Sequence, residues 1–422
     1  MTRALLALNA RTFVSLRRHR NYRLYFMGQV ISLSGTWMQN VALAWLVIRL
    51  THSPVAVGLL AFFRFVPFTI FSLPAGVFAD RFDNRRTVML MQAVSMAISA
   101  ALAVLVLTGH AVLWEVYALA VLAGAANVFD APNRHALTFQ MVGRDELPNA
   151  VALNASLFNG SRVIGPAIGG VVIAAFGVGT CFALNAVSFL AVLGALALMR
   201  ASDLFPIARR EAPKMVAGVR AGFAYVWRTP AIRLVLLMTM VVSTVGFNFH
   251  VLVPVLASKT LHAGPEVFGA LGAAFGAGAL VGALLSASLA RASWKAVVLG
   301  SAGFSTTLLV LAPQASVWPA AVLLFATGLF FTTWTTSSQS IIQLTAPDHL
   351  RGRVLSIYLF AFGGLAPVGG LLAGWLSDVG GTQLAFLVAG IACTAMTVYS
   401  FFAWPRPVAD DAVEEAEERL AA

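Results

Sequence analysis

The amino-acid sequence predicts an all-α polytopic membrane protein, with twelve transmembrane helices in two six-helix pseudo-repeats and both termini cytoplasmic. Three observations predict this class. Hydrophobic residues make up 59% of the 422 residues and charged residues only 11%, whereas soluble domains carry about 25% charged residues. The apolar residues form runs long enough to span a bilayer, which takes about 20 residues. Basic residues are concentrated between alternate runs, as in membrane proteins of many spans.

The apolar runs fall into two groups of six. They are predicted at about 22–48, 55–78, 87–108, 113–136, 149–176 and 180–200, and then at about 231–257, 265–290, 296–312, 317–343, 354–377 and 382–404. With both termini in the cytoplasm, 24 of the 28 basic residues lie at or near the inner face. Because cytoplasmic loops carry an excess of Lys and Arg, this orientation is the predicted one.

The same runs divide the chain into five segments. These are a cytoplasmic amphipathic N-terminus (1–21), an N-terminal six-helix half (22–200), a cytoplasmic linker (201–230), a C-terminal six-helix half (231–404) and an acidic cytoplasmic tail (405–422). The linker mixes arginines with aromatic residues, which indicates either an amphipathic helix on the inner membrane surface or a solvated connection. QMVGRDELPNAV (140–151) resembles QLTAPDHLRGRV (343–354) at an offset of 203 residues. Parallel repeats of this kind are typical of secondary transporters.

Composition also excludes several classes of protein. The net charge of +11 is spread over the loops, so it indicates an anionic membrane surface as the partner rather than nucleic acid. Cys181 and Cys393 lie in apolar stretches without metal-type spacing, and we expect neither a disulfide framework nor a metal site. The sequence contains no paired carboxylates, ligand cluster or nucleophile–base arrangement, so we expect no enzyme activity and no cofactor.

The loop between spans 2 and 3 reads GVFADRFDNRRTV, from Gly76 to Val88. It resembles the inner-loop motif of the major facilitator superfamily, G-x-x-x-D-R-x-G-R-R, with Asp83 and Asn84 in place of the usual Gly-Arg pair. The resemblance implies a conformational latch, in which the acid caps a helix of the opposite half and the arginines pair with an acid at the inner end of helix 4. The corresponding residues are Gly76, Asp80, Arg81, Arg85, Arg86 and, as the partner acid, Asp130. The alternative is a plain positive-inside anchor.

Span 4 places Asn127, Asp130 and Arg134 on one helix face, since they are three and four residues apart. Asp130 lies close enough to the inner end to be the partner acid of the latch. The alternative is that Asp130 and Arg134 pair only with each other.

Span 5 contains NGSRVIGPAIGG, from Asn159 to Gly170. It resembles the glycine-proline motif of helix 5 in exporters of the superfamily, carried here by Arg162, Gly165, Pro166, Gly169 and Gly170. Span 8 is also rich in glycine, from Gly269 to Gly282. Both glycine clusters fall in the outer half of the bilayer, so we expect them to pack on each other; the alternative is generic small-residue packing.

Several polar residues lie where lipid excludes them, and these are candidates for the pore, for substrate binding or for proton coupling. They are Ser32, Thr36, Gln39, Arg64, Asn127, Asn159, His250, Thr336 and Gln339. A charge at mid-membrane marks a functional site by default, so Arg64 and Arg162 are candidates for binding an anionic or carbonyl-bearing substrate. Ser243 and His250 share a face of span 7. The polar stripes fall on spans 1, 4, 7 and 10, which line the central cavity in the superfamily.

Longer stretches extend the resemblance to one bacterial branch. WMQNVALAWLVIRLTHSPVAVG (37–58), NVFDAPNRHAL (127–137) and NASLFNGSRVIGPAIGG (154–170) resemble the branch that includes the enterobactin exporter and related macrolide and drug efflux proteins. The resemblance implies a monomeric inner-membrane exporter of a drug, siderophore or metabolite, coupled to protons through Asp130 or His250. The alternatives are an importer of a small solute and a non-transporting membrane sensor or scaffold.

Overall fold

The structure, a computed structural model, describes residues 12–206, 215–289 and 293–404, and every regular element in these ranges is helical. The helices are α1 Val14–Arg18, α2 Arg20–Thr51, α3 Pro54–Arg81, α4 Asn84–Leu107, α5 Leu113–Phe176, α6 Val178–Ala197, α7 Met215–Arg228, α8 Pro230–Val241, α9 Phe249–Val255, α10 Pro265–Leu289, α11 Trp294–Leu311, α12 Val317–Thr345, α13 Asp348–Gly363 and α14 Ala366–Ala403. The prediction of an all-α chain is confirmed. The acidic tail lies outside the described residues.

Ten stretches of the described chain are long and apolar enough to cross a membrane. Two of them, Leu113–Phe176 and Leu350–Ala403, contain 64 and 54 residues. Helices of 64 residues extend about 96 Å, roughly three times the hydrocarbon thickness. Gly143, with φ of 71°, interrupts the first stretch, and Gly380 with Gly381 interrupts the second. These breaks are compatible with two crossings in each stretch, and the total of twelve stays a prediction.

Helix starts follow from ordinary capping chemistry. Before α3, the Ser53 side chain accepts a hydrogen bond from the Ala56 amide, and Pro54 occupies the first helical position, where a missing N–H costs nothing. Before α4, Asp83 Oδ1 accepts from the Arg86 amide at 2.8 Å. The same Asp83 departs from the family loop pattern, so this departure has a local structural role as a helix cap.

The helices pack into two compact units. The first contains Met1–Ala212 together with His262–Ala273, and the second contains Pro213–Leu261 and Ala274–Ala422. A buried core in the first unit joins Tyr22 and Tyr25 of α2 to Leu137, Met141 and Val192 on α5 and α6. Because His262–Ala273 groups with the first unit, the start of α10 belongs with the helices of that unit.

The predicted span 7 is not a continuous α-helix. A π-helical turn at Val242–Gly246 follows α8, and Phe247 leaves helical geometry before α9 begins. A second π turn occupies Leu256–Thr260. The assumption that placed Ser243 and His250 on one face was wrong, because a π turn and a break change the angle between successive side chains. Ser243 Oγ donates to the Ala361 carbonyl at 3.1 Å and is buried, whereas His250 lies half-buried beyond the break.

Candidate functional site

A buried ion pair lies in the first arm of α5 (113–142). Asp130 is 3% exposed and pairs with Arg134, one turn further along the same helix. Gln92 of α4 donates to Asp130 Oδ1 at 3.2 Å, and Arg134 donates to Gln29 Oε1 of α2 at 3.5 Å. The pairing of Asp130 with Arg134 that the sequence offered as an alternative is therefore observed. Its polar neighbours come from two other helices that the sequence did not connect to it.

Polar atoms with unused hydrogen-bonding capacity surround this pair. Within the part of the chain that the structure describes, Tyr25 Oη, Gln29 Nε2, Gln92 Oε1 and Arg134 Nε are buried and have no hydrogen-bond partner. Buried polar atoms are normally satisfied by protein or by water. The surroundings of Asp130 can therefore bind a water molecule without losing an existing bond. We name Tyr25, Gln29, Gln92, Asp130 and Arg134 the charged cluster.

The arginines of the predicted latch lie at the end of α3 and in the first turn of α4. Arg85 donates to the Leu196 carbonyl at 2.9 Å and to the Ala197 carbonyl at 3.1 Å. A cation at the C-terminus of a helix interacts favourably with the helix dipole. Arg81 and Arg86 are exposed, and the side chains of Gly76 and Asp80 lie outside the described part of the structure. The pairing of these arginines with Asp130 stays a prediction.

A network of amides and hydroxyls holds the middle of α2, α4 and α6 together. Asn185 of α6 donates to Gln39 Oε1 at 2.7 Å and to Ser99 Oγ at 3.2 Å, and Ser188 donates to Asn185 Oδ1 at 3.0 Å. Gln39, a pore candidate, is thus bonded to another helix. The sequence analysis missed Asn185, although a single amide in an apolar span was a usable signal.

The remaining pore candidates of the first unit differ in exposure. Asn127 is exposed on the first arm of α5, and Asn159, half-buried on the second arm (144–176), donates to the Ala155 carbonyl. Ser32 is buried, and its carbonyl accepts from Thr36 Oγ1 at 2.9 Å. Arg64 lies half-buried in α3, with its guanidinium carbon 5.9 Å from the Phe65 ring. Their roles stay predictions.

The second arm of α5 presents arginine and aromatic side chains to α2. The guanidinium carbon of Arg162 lies 5.9 Å from the ring centre of Trp37, within the range of a cation–π contact. Phe158 meets the same indole edge to face at 5.6 Å between ring centres. Ser161 and Ser34 connect the two helices at 3.3 Å between hydroxyl oxygens. The sequence analysis did not select Trp37 or Phe158, because aromatic residues are common in any span.

The glycines of α5 permit close helix contacts within the first unit. A Cβ on Gly170 would lie 2.7 Å from the Pro265 carbonyl oxygen and 3.0 Å from Gly269 Cα of α10, and Pro166 packs against Gly269 from the other side. A Cβ on Gly165 would lie 2.8 Å from the Ser34 carbonyl oxygen, and Gly169 packs on Met38. The expected packing of the two glycine clusters is observed, and it requires glycine because no side chain fits.

The candidates of the second unit lie near a cluster of aromatic rings. Thr336 is exposed and Gln339 half-buried on α12. Phe331 of the same helix stacks on Phe247 with ring centres 4.2 Å apart. The rings of this aromatic cluster are those of Phe247, Phe249, Phe275, Phe304, Phe331, Trp334 and Phe362. The break in the predicted span 7 therefore lies against phenyl rings.

In the first unit, the segment before α2 binds the turn that joins the two arms of α5. Glu146, 8% exposed, accepts from Arg18 Nη1 at 2.8 Å, and His19 Nε2 lies 2.9 Å from Glu146 Oε2. Ser15 adds a backbone bond to Asn149 Oδ1 at 3.2 Å. We name these contacts the N-terminal clasp. In the second unit, Tyr225 of α7 donates to the Thr345 carbonyl at 3.1 Å, at the repeat of this turn.

Among the described residues, no three His, Cys, Asp or Glu side chains are grouped so that they could hold a metal ion. The apolar helices of membrane length define a polytopic membrane protein. Two solved structures share the fold: the nucleoside transporter NupG (TM-score 0.74, 10% identity, 91% of this chain and 99% of that chain) and a peptide transporter POT (TM-score 0.75, 13% identity, 92% and 95%). At these identities, the likeness shows the fold alone.

The chain belongs to the transmembrane secretion effector family of major facilitator superfamily transporters, whose model matches residues 11–420. It is 27% identical over 385 residues to the staphyloferrin A transporter of Staphylococcus aureus, covering 90% of this chain and 95% of the relative. It is 30% identical over 396 residues to the multidrug efflux pump Tap of Mycobacterium tuberculosis, covering 88% and 91%. The protein is a multi-pass membrane transporter and not an enzyme.

Proposed function

We propose that this protein exports a small amphipathic or hydrophobic molecule, such as a drug, a siderophore or a metabolite, across the bacterial inner membrane. Transport proceeds by alternating access of the two six-helix halves, with protons moving in the opposite direction. The observation that carries the proposal is the buried pair of Asp130 and Arg134 inside the first unit. A paired charge inside a transmembrane bundle marks proton relays and substrate pathways.

The charged cluster has the chemistry that proton coupling needs. When Asp130 is ionised, its charge is balanced by Arg134 and it accepts from Gln92. Protonation of Asp130 removes the attraction and leaves Arg134 as a net positive charge with Gln29 as its neighbour. The two protonation states therefore favour different arrangements of α2, α4 and α5, and a proton can bias a two-state equilibrium through such a difference. His250 is the second candidate, and the charged cluster supports Asp130.

The direction of transport is supported by two observations. The glycine-proline segment of α5, which resembles the exporter motif, packs tightly on α2 and on the start of α10. The relatives named as efflux pumps match nearly the whole chain. An importer of a small solute is the alternative, since solved structures of the same fold include nucleoside and peptide transporters.

The latch belongs to the same proposal. In the arrangement described here, Arg85 binds carbonyls at the end of α6, and Asp130 binds Arg134 and Gln92. We propose that Asp80, Arg81, Arg85 and Arg86 exchange partners between the inward-open and outward-open states. The positive-inside pattern supports cytoplasmic termini, and nothing in the sequence calls for more than a monomer.

Transport into everted membrane vesicles with an imposed pH gradient tests the function. We expect accumulation of at least one compound from a panel of drugs and siderophores, and its loss when the gradient is collapsed. Asp130→Asn abolishes gradient-driven accumulation, and Asp378→Asn, the same change at an exposed position of α14, leaves it intact. Accumulation only in right-side-out vesicles would establish an importer. Undiminished accumulation by Asp130→Asn would remove Asp130 from the coupling mechanism.

A further inference from the structure

Positive charge exceeds negative charge deep inside the first unit. Near the middle of its predicted spans, this part of the sequence carries Arg64 and Arg162 but no acid. Asp130 lies closer to the end of span 4 and is paired with Arg134, so that pair contributes no net charge. A charge near the centre of a membrane is costly. Because two further arginines at this depth are costly, we expect them to have a function.

Arg162 lies on the side of α5 that faces away from lipid. Ile164, Ile168 and Val171 are 51%, 47% and 62% exposed and share one apolar face, which we assign to lipid. Arg162 precedes Ile164 by two residues, and at 3.6 residues per turn its side chain lies about 160° around the helix from that face. Its guanidinium is directed to Trp37 of α2. The arginine thus belongs to the interior of the unit.

Phe158 shows that this interior side is accessible. It lies one turn before Arg162, contacts the Trp37 ring and is nevertheless 47% exposed. Phe158 lies about 120° around the helix from Ile164, on the side of Arg162, and we assign its exposed ring to the internal space that Arg162 faces. Arg162, Trp37 and Phe158 together present a planar cation and two aromatic surfaces to that space, and we name them the arginine–aromatic wall.

We propose that the arginine–aromatic wall is a substrate-binding subsite for an anionic group attached to an aromatic or apolar body. The exported molecule then bears a carboxylate, a sulfonate or a similar anion, and lipophilic cations are poor substrates. The claim that the molecule is exported rests on the proposed function. The preference for a negative charge rests on the side chains alone. Guanidinium groups bind carboxylates and related anions through paired, charge-assisted hydrogen bonds.

The aromatic surfaces and the second arginine support the same choice. Trp37 and Phe158 supply apolar area with defined orientation for the body of the molecule. Arg64 adds positive potential inside the same unit, where a low dielectric strengthens its effect. A cation at this wall meets the guanidinium of Arg162, and the carboxylate of Asp130 is already paired with Arg134.

The test uses an aromatic carboxylate and an aromatic ammonium ion of similar size, 2-naphthoate and 2-naphthylmethylammonium. Their equilibrium binding to the full chain in lipid nanodiscs is measured, and binding to protein-free nanodiscs is subtracted. We expect the anion to bind at least about tenfold more tightly than the cation, because a hydrogen bond to a charged group is worth roughly a factor of ten or more. Equal binding, or tighter binding of the cation, would overturn the proposal.

Variants test whether the arginine–aromatic wall causes the preference for the anion. Arg162→Gln lowers anion affinity about tenfold and leaves cation binding unchanged or stronger, whereas Arg162→Lys keeps part of the preference, because it keeps the charge but loses the paired hydrogen bonds of the guanidinium. Arg23→Gln, the same change at an exposed inner position of α2, changes neither affinity. An unchanged preference in Arg162→Gln would overturn the assignment. If that variant does not fold, Trp37→Ala decides, since it must weaken anion binding through loss of the aromatic surface.

Binding and transport separate this inference from the proposed function. If the nanodisc measurements show the anion preference but everted vesicles show no gradient-driven uptake of any compound, the subsite stands and the exporter proposal falls. If vesicles accumulate cations and the nanodiscs show no anion preference, the exporter proposal stands and the subsite falls.

Discussion

The interiors of the two units differ in chemistry although both are bundles of apolar helices. Every ion pair found among the described residues lies in the first unit, as do the buried carboxylates Asp130 and Glu146. The second unit buries hydroxyl side chains and the aromatic cluster around Phe331. The first unit has a long kinked helix, and the second has a predicted span broken by π turns. The two units are therefore both helical bundles, but their interiors differ in chemistry.

This difference indicates a division of labour. Charges inside a membrane respond to protonation and to anions, so the first unit is suited to coupling and to recognition of charge. Phenyl rings pack through contacts without strong direction, and stacked rings tolerate small displacements at little cost. A helix that is already broken at Phe247 changes its bend without losing further hydrogen bonds. We therefore expect variants in the two units to change different properties of transport.

The largest effect is expected from breaking the buried ion pair. Arg134→Met leaves the Asp130 carboxylate buried without its cation, and we expect a loss of about 3 kcal/mol in the free energy of unfolding. The double variant Asp130→Asn with Arg134→Met restores most of this loss, because no charge is left uncompensated. Thermal unfolding in detergent measures both. A single variant as stable as the parent chain would contradict the role of the pair.

A smaller effect is expected in the aromatic cluster. Phe331→Leu keeps most of the volume but removes the ring stacked on Phe247, at a cost of about 1–1.5 kcal/mol. We expect the rate of transport to change by the same factor at every pH, because no charge is altered. Asp130→Asn, by contrast, flattens the pH dependence. If Phe331→Leu shifted the pH profile, the proposed division between the units would fail.

The amide network of the first unit provides an intermediate test. Asn185→Leu removes the bonds to Gln39 and Ser99, and we expect a loss of about 1 kcal/mol in stability. Asn154→Leu is the matched change at a less buried amide, which bonds Thr138 at 3.3 Å, and we expect it to cost less. Unfolding midpoints of the two variants make the comparison. Equal losses of stability in the two variants would show that burial of the Asn185 network adds nothing to the free energy of unfolding.

The smallest effect is expected at the N-terminal clasp. Glu146→Gln keeps an acceptor but removes the charge that Arg18 and His19 bind. Because the Arg18 side chain is 71% exposed, we expect the effect of a surface ion pair, about 0.2–1 kcal/mol. Amide exchange at Ser15 and its neighbours should accelerate by a factor of about two to three, as measured by hydrogen–deuterium exchange. The control is Asp145→Asn, the adjacent exposed carboxylate. Identical exchange in the two variants would show that Glu146 does not hold the clasp.

Most of the helices could be predicted from the sequence because their cause is local. A run of apolar residues between Arg-rich turns must be helical in lipid, since every backbone hydrogen bond has to be made within the segment. Ser53, Asp83 and Gly143 mark ends and breaks that follow from their own side chains or from a positive φ. Periodicity failed in span 7, because a π turn changes the angle per residue without any clear signal in composition.

Partners over long distances could not be predicted in the same way. In the sequence, Asp130 has two sets of candidate partners, Arg134 and the arginines of the inner loop. Either pairing would balance its negative charge. The structure pairs Asp130 with Arg134, adds Gln92 from α4, and directs Arg85 to carbonyl oxygens of α6. Glu146 and Arg18 are 128 residues apart, and no local pattern connects them.

The sequence by itself therefore determined the helical membrane architecture, the repeat and the scarcity of charge in the interior. Those properties come from composition and spacing, which act through the cost of placing polar groups in lipid. Only the tertiary structure decided that Arg162 meets Trp37 and Phe158, that Gly170 meets Gly269, and that the charges gather in one unit. The reason is that a side chain's partner depends on which helices pack together and at what rotation, and packing involves the whole bundle at once.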